Sequence, residues 1–257
     1  MKINLQEGYP FFYETHMHTN QGSACGRNTG YEMAKACKEL GYTGVFITDH
    51  NWGGNTCISR ELPWEEWMRQ YATGYRDAKR FGDDNDLDVF FGMETGFTGT
   101  EFLIYGLSPE DFIAIPKLRV CSIEEQYELV KKAGGMVSQA HPYRVEPYIP
   151  EVRNFPDYVD AFEAYNATHS SPLSVSHNVA EWNDEAMKLA ILHNKPITAG
   201  SDTHSTNLFG GGMAFKRRLR DSKDFCDAVL NNEDYIVSDG QYWRDKKGQI
   251  LAGLEIR

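Results

Sequence analysis

The sequence predicts a single α/β domain, residues 1–257, built as a barrel of parallel strands. Apolar runs of strand type alternate with helical stretches along the whole chain, and no Pro/Gly/Ser-rich linker or internal repeat interrupts them. About seven such units in a chain of this length suit a closed barrel better than an open sheet.

Each element has its own signal. Residues 12–17 read as the first strand, and FYETHMHTN at 12–20 sets His16 and His18 two apart. Side chains repeat every second residue along a strand, so both imidazoles share one face. A helix follows over 30–41, where Thr29 and Glu32 make a capping box and Gly41 is the stop. GVFITD at 44–49 is an apolar run of buried-strand type, and residues 51–62 read as a loop flanking a site. Pro63 opens a long helix whose Trp64, Trp67, Met68 and Tyr71 recur at helical spacing as a core stripe. LDVFFGME (87–94) and FLIYGL (102–107) are the next strands. Ser122 and Glu125 cap a helix that ends at Gly134-Gly135, leading into the strand GMVSQAH (135–141). DAFEAYN (160–166), a helix around 177–194, the strand PITAGSD (196–202), a helix over 221–230 and YIVSD complete the pattern. FGGGMAF at 209–215 leads into no GK[ST] and reads as a flexible loop.

Composition narrows the function. The formal net charge is −11, and the only basic tract is Lys216-Arg217-Arg218, read as a solvated face. Extended nucleic acid and membrane surfaces both need a positive footprint, so neither is an expected partner. An anionic substrate would need local cations, which metal ions can supply. The N-terminal MKINLQEGYPFFYE holds no apolar run of signal-peptide length, and no stretch of about 18 apolar residues occurs anywhere. Five cysteines without a CxxC pair argue against a disulfide framework, so the expected setting is a reducing cytoplasm.

The chemistry gathers where apolar strands give out: His16, His18, Asp49, His50, Glu94, His141, Asp202 and His204. That is the end at which α/β barrels build active sites. Five of the eight histidines fall there, and imidazoles with carboxylates on one rim are the ligand set of Zn²⁺, Mn²⁺ or Fe²⁺. Asp49 either caps the next segment or joins that chemistry. Arg144, three residues past His141, and Arg27, in the loop after the paired histidines, are candidate phosphate clamps, because guanidinium meets phosphate through two parallel hydrogen bonds. His193 suits a helix C-terminus, His169 and His177 are in reach of the rim, and Asn166 is a candidate support for a ligand.

ETHMHT, ITDH, GMETG, SQAHP and GSDTH, in this order over residues 14–204, resemble the PHP (polymerase and histidinol phosphatase) superfamily. The resemblance implies a distorted (β/α)7 barrel with two or three divalent metal ions at the C-terminal ends of its strands. It implies that His16, His18, Glu94 and Asp202 hold one metal, that Glu94 bridges to a second served by His141, and that His50 and His204 belong to a third site or face the substrate. The superfamily's full pattern has a further ligand soon after the opening HxH, where this chain offers Cys25. It also has a histidine between the glutamate and the AHP motif, where this chain offers only Glu101 as a substitute. The expected activity is hydrolysis of a small-molecule phosphoester by a metal-activated hydroxide, with His50, His204 and Asp49 as catalytic candidates. The alternatives are a nucleotide phosphodiesterase of the same superfamily and a noncatalytic metal-binding module.

Overall fold

A computed structural model describes residues 2–256 as a mixed α/β fold. In chain order the elements are β1 (Phe11–Glu14), α1 (Gly30–Leu40), β2 (Gly44–Ile47), α2 (Trp64–Tyr71), α3 (Thr73–Asn85), β3 (Asp88–Phe91), β4 (Met93–Gly96), β5 (Glu101–Tyr105), α4 (Pro109–Ala114), α5 (Ile123–Lys132) and β6 (Met136–Gln139). Then come β7 (Ala161–Asn166), α6 (Ala167–Ser170), α7 (Glu181–Leu192), β8 (Ile197–Gly200), β9 (Gly211–Phe215), α8 (Ser222–Leu230), β10 (Tyr235–Asp239), β11 (Tyr242–Arg244) and β12 (Ile250–Gly253). Both capping boxes form: the Thr29 and Ser122 side chains accept from the backbone three residues on, and Glu32 and Glu125 reach back. No helix among the described residues is long and apolar enough to cross a membrane.

The strands do not make the single closed parallel ring that the alternation predicts. They pair into a seven-stranded sheet, ordered β12-β11-β10-β9-β1-β2-β3, and a five-stranded sheet, ordered β4-β5-β6-β7-β8. β1, β2 and β3 are parallel, as are β6, β7 and β8, but β9 and β10 run antiparallel to their neighbours and β5 runs against both β4 and β6. Loop length explains β5. Only residues 97–100 separate it from β4, and a parallel return needs a crossover of a dozen residues or more. Two single parallel bridges join the sheets, His50 to Glu94 and Met17 to Thr203. Both lie at the rim that carries the polar motifs.

Three elements differ from the pattern that the sequence predicts. The run 87–94 is two strands interrupted at Gly92, and the helix after Pro63 is broken at Ala72 into α2 and α3. The glycine-rich 209–215 is no flexible loop: Gly211–Phe215 is a buried strand. Its glycines are there for close approach. A Cβ on Gly212, whose φ is 140°, would sit 2.2 Å from the Tyr13 carbonyl oxygen, and one on Gly211 would sit 2.6 Å from that of Gly200.

Candidate metal centre

Parallel strands end at one rim, and that geometry delivers the motifs. His16 and His18 follow β1, Asp49 and His50 follow β2, His141 follows β6, and Asp202 and His204 follow β8. Glu94 lies on β4. Glu101 opens β5, and because β5 is antiparallel its first residue reaches the rim where the neighbours end. His141 and Asp202 hold left-handed backbone, with φ of 28° and 56°. Such positions cost on the order of 1–3 kcal/mol in non-glycine residues and concentrate at functional sites.

The donor atoms converge. His18, His50 and His204; His16, His18 and Glu94; His16, His141 and Asp202; and His50, Glu94 and Glu101 each bring three ligand atoms within 4.8 Å of one another. Glu94 is fully buried and faces two ways. Its Oε1 lies 3.3 Å from His16 Nε2 and 3.1 Å from His141 Nε2, and its Oε2 lies 3.4 Å from His18 Nε2 and 2.7 Å from His50 Nδ1. Asp202 turns Oδ1 to His18 Nε2 at 3.0 Å and His16 Nε2 at 3.5 Å, while its Oδ2 accepts from Arg144 Nη2 at 2.6 Å. Glu101 comes within 3.5 Å of His141 and 3.8 Å of His50.

Hydrogen bonds behind the ring nitrogens fix which lone pairs face inward. The Ser23 hydroxyl donates to Asp49 Oδ1 (2.7 Å) and accepts from the His50 backbone N–H (2.9 Å), so its remaining lone pair takes the proton of His18 Nδ1 at 3.1 Å. His16 Nδ1 donates to Glu163 Oε1 at 2.8 Å. In the neutral form of each ring the proton therefore sits on Nδ1 and the Nε2 lone pair is directed into the cluster, the arrangement in which a rear partner sets a metal-binding tautomer. The two Nε2 atoms face each other at 3.2 Å.

A divalent ion fits these residues on one direct observation. Glu94 Oε2 and His50 Nδ1 are 2.7 Å apart and buried, yet they are not aligned as donor and acceptor, and neither has another hydrogen-bond partner. Two buried polar atoms left without a hydrogen bond are costly unless a cation engages them both. The electrostatics agree. Burial depresses His16 and His50, but the carboxylates around them override it and raise both well above the usual imidazole range. That pull on protons is one that cations compete for. Burial, with the facing His50 and His204, pushes His18 down to about 3, so it stays neutral. Burial opposes ionisation of Glu94 and Asp202, but His50 and His16 hold Glu94 ionised, and His16 and Arg144 do the same for Asp202. Cys25 resists burial under the influence of His204 and His50 and comes down to about 7.

Cys25, His50, Asn55, Glu94, Glu101, Arg144, Tyr148, His177, Asp202 and His204 line a cavity of about 340 Å³ beside the cluster. Two candidates stand elsewhere. Asp49 is buried behind the rim with both oxygens engaged by Thr19 and Ser23, so its geometry is that of a brace for His18 rather than a group facing the cavity. Arg27 lies outside the cavity lining, and its backbone N–H donates to the His204 carbonyl. Lys216, Arg217 and Arg218 all pair with carboxylates.

Sequence reasoning misses Glu163. Besides His16 it accepts from the His141 backbone N–H and from Asn166 Nδ2, both at 3.0 Å. A lone carboxylate inside the apolar run DAFEAYN is the available signal, since burial without partners is expensive. Asn183 on α7, which accepts from His169 Nδ1 at 3.0 Å, leaves no signal at all.

Residues 180–233 match the PHP-associated family model (PHP_C). No curated protein sequence matches the chain. Among solved structures, the chain is similar to a two-domain protein from Bacteroides vulgatus that contains a predicted PHP-like metal-dependent phosphoesterase. The two share 13% identity and a TM-score of 0.67 over 93% of this chain and 68% of that one. PsfC from Pseudomonas syringae shares 16% identity and a TM-score of 0.58, covering 88% of each chain. The lesion-specific endonuclease PfuEndoQ from Pyrococcus furiosus shares 12% identity and a TM-score of 0.56, over 91% of this chain and 58% of that one. The family-model match is confined to residues 180–233, and at 12–16% identity the likenesses to solved structures show a shared fold.

Proposed function

We propose that this protein is a metal-dependent phosphoesterase that hydrolyses a small phosphorylated molecule. The observation that carries the reading is the sharing of Glu94 between ligand triads beside a cavity that also presents Arg144. His16, His18, Glu94 and Asp202 would hold one divalent ion, Glu94, His141 and Glu101 a second, and His50, His204 and Cys25 a third if one binds. Zn, Mn and Fe suit this mixture of nitrogen and oxygen donors, with Cys25 as a soft addition. When bound, such ions supply Lewis acidity to phosphoryl oxygens and make water ionise near neutral pH.

The chain's own residues do the rest. Glu163 and Ser23 hold the His16 and His18 rings in their ligating tautomers. Arg144 neutralises the Asp202 oxygen turned away from the cluster, and its guanidinium borders the cavity, where it can bind a phosphoryl oxygen. The two facing sheets, bridged only at this rim among the described residues, are read as a single domain forming a distorted barrel. Five cysteines, all free thiols, support a cytoplasmic location.

The likeness to an endonuclease favours a second reading, a nucleotide phosphodiester substrate. The net charge of −11 and a cavity at the small end of the ligand-pocket range weigh against extended nucleic acid. The test is a panel of sugar, amino-alcohol and nucleotide phosphomonoesters beside nucleotide phosphodiesters, each with added Zn²⁺, Mn²⁺ or Fe²⁺ and with chelator. Chelator-sensitive phosphate release from a monoester supports the proposal. Turnover of phosphodiesters alone, or of nothing, overturns it.

A further inference from the structure

We infer that His177, held by Glu146, is the acid that protonates the leaving group in this cavity; the inference rests on the phosphoesterase reading. Hydrolysis of an alkyl phosphoester needs a proton at the leaving oxygen, because an alkoxide is a poor leaving group. Most imidazoles of the site are committed elsewhere: His16, His18, His50, His141 and His204 all belong to ligand triads. His177 lines the same cavity and belongs to none of them.

Its ring is held from behind. His177 Nδ1 makes a short contact with Glu146 Oε1, and both side chains are about a quarter exposed, at 30% and 21%. A carboxylate on Nδ1 fixes the orientation of the imidazole and leaves Nε2 as the nitrogen available to a bound molecule. The two residues come from different loops, Glu146 after β6 and His177 before α7, so the contact ties one loop to the other beside the cavity that His177 lines. His177 also holds left-handed backbone, with φ of 56°, as His141 and Asp202 do. The other uncommitted proton carrier at the rim is Tyr148, whose hydroxyl is pushed up to about 12 by burial, against the opposing pull of Arg144. Imidazole suits proton exchange near neutral pH far better.

Atoms and electrons balance in this step. A water oxygen bonds to phosphorus as the bond from phosphorus to the leaving oxygen breaks. That electron pair stays on the leaving oxygen, which takes the proton from His177 Nε2. The attacking water releases one proton to solvent and His177 regains one, so ester and water give alcohol and phosphate.

The test compares two substrates that differ in their need for an acid: an alkyl phosphate, and nitrophenyl phosphate, whose leaving group departs without help. In His177→Gln, kcat/KM for the alkyl phosphate should fall about 100-fold or more, the usual scale of general acid catalysis, while nitrophenyl phosphate changes by less than about threefold. Metal content, measured by elemental analysis on the same samples, should match the wild type. Glu146→Gln should give a smaller loss with the same preference for the poor leaving group. Equal loss on both substrates, no loss on either, or a fall in metal content overturns the assignment. So does a leaving-group-selective loss in Tyr148→Phe with none in His177→Gln. If the wild-type protein hydrolyses neither ester, the phosphoesterase reading itself has failed, a result distinct from all of these.

Discussion

Glu163→Gln removes one charge from a buried position while keeping size and shape, and the hydrogen bonds around that position set the outcome. Three N–H donors converge on the carboxylate: His16 Nδ1 at 2.8 Å on one oxygen, the His141 backbone N–H and Asn166 Nδ2 at 3.0 Å on the other. An amide offers one accepting oxygen and one NH₂. If the oxygen faces His141 and Asn166, the NH₂ faces His16, whose Nδ1 must then accept and whose Nε2 must carry the proton. That ring can no longer ligate. If the oxygen faces His16 instead, two buried N–H groups lose their acceptor, at about 1–3 kcal/mol each. The first arrangement is the cheaper, so the expected loss lies in metal binding more than in folding. Removing a carboxylate behind a ligating histidine typically costs about 10- to 100-fold in metal affinity. Competition titration against a chromogenic chelator measures this, with thermal unfolding of the metal-free variant as the control for structure. Affinity within about twofold of wild type, well below that range, would show that Glu163 does not set the tautomer of His16.

Glu94→Gln should abolish more activity than Cys25→Ser, because Glu94 meets four imidazoles whereas Cys25 is influenced by only His50 and His204; equal losses in kcat/KM would undo that ranking. Arg144→Ala should lower kcat/KM by roughly ten- to a hundred-fold, from loss of a charge-assisted contact worth about 1.5–3 kcal/mol, with only partial recovery in Arg144→Lys. Because Arg144 also pairs with Asp202, metal content is measured alongside, and full retention of both metal and rate would rule the clamp out. Far from the site, Asp224 accepts from Arg220 and from both terminal nitrogens of Arg217, and these hold its carboxyl below the usual carboxylate range. That stability is present above about pH 4 and lost as pH falls. Asp224→Asn should lower Tm at neutral pH by several degrees and make the acid limb of a Tm-against-pH curve shallower; an unchanged curve would contradict this.

The site is legible in the sequence wherever its chemistry is local. His16 and His18, Asp202 and His204, and the His141-to-Arg144 stretch each carry their spacing in a few residues at a strand end. Glu101 reads in the sequence only as a substitute for a missing ligand, and its place depends on β5 running antiparallel, a consequence of its four-residue connection to β4. Asn183 lies 17 residues beyond Asn166, and only the packing of α7 beside β7 brings them together. The fold is legible as alternation but not as topology. Hydrophobic runs mark strands without marking their direction, so the reversed β9 and β10 and the split into two sheets leave no trace in the pattern, and only the short connection after β4 signals the reversal of β5. Glycines in 209–215 are turn formers by composition, yet here they let a buried strand approach the backbone of Tyr13.

Elemental analysis of the purified protein, grown with added Zn, Mn or Fe, tests the metal centre most directly. The expected result is two or more transition-metal ions per chain, lost together from Glu94→Gln. Less than about half an ion per chain under all three supplements would contradict the reading of this rim as a metal centre.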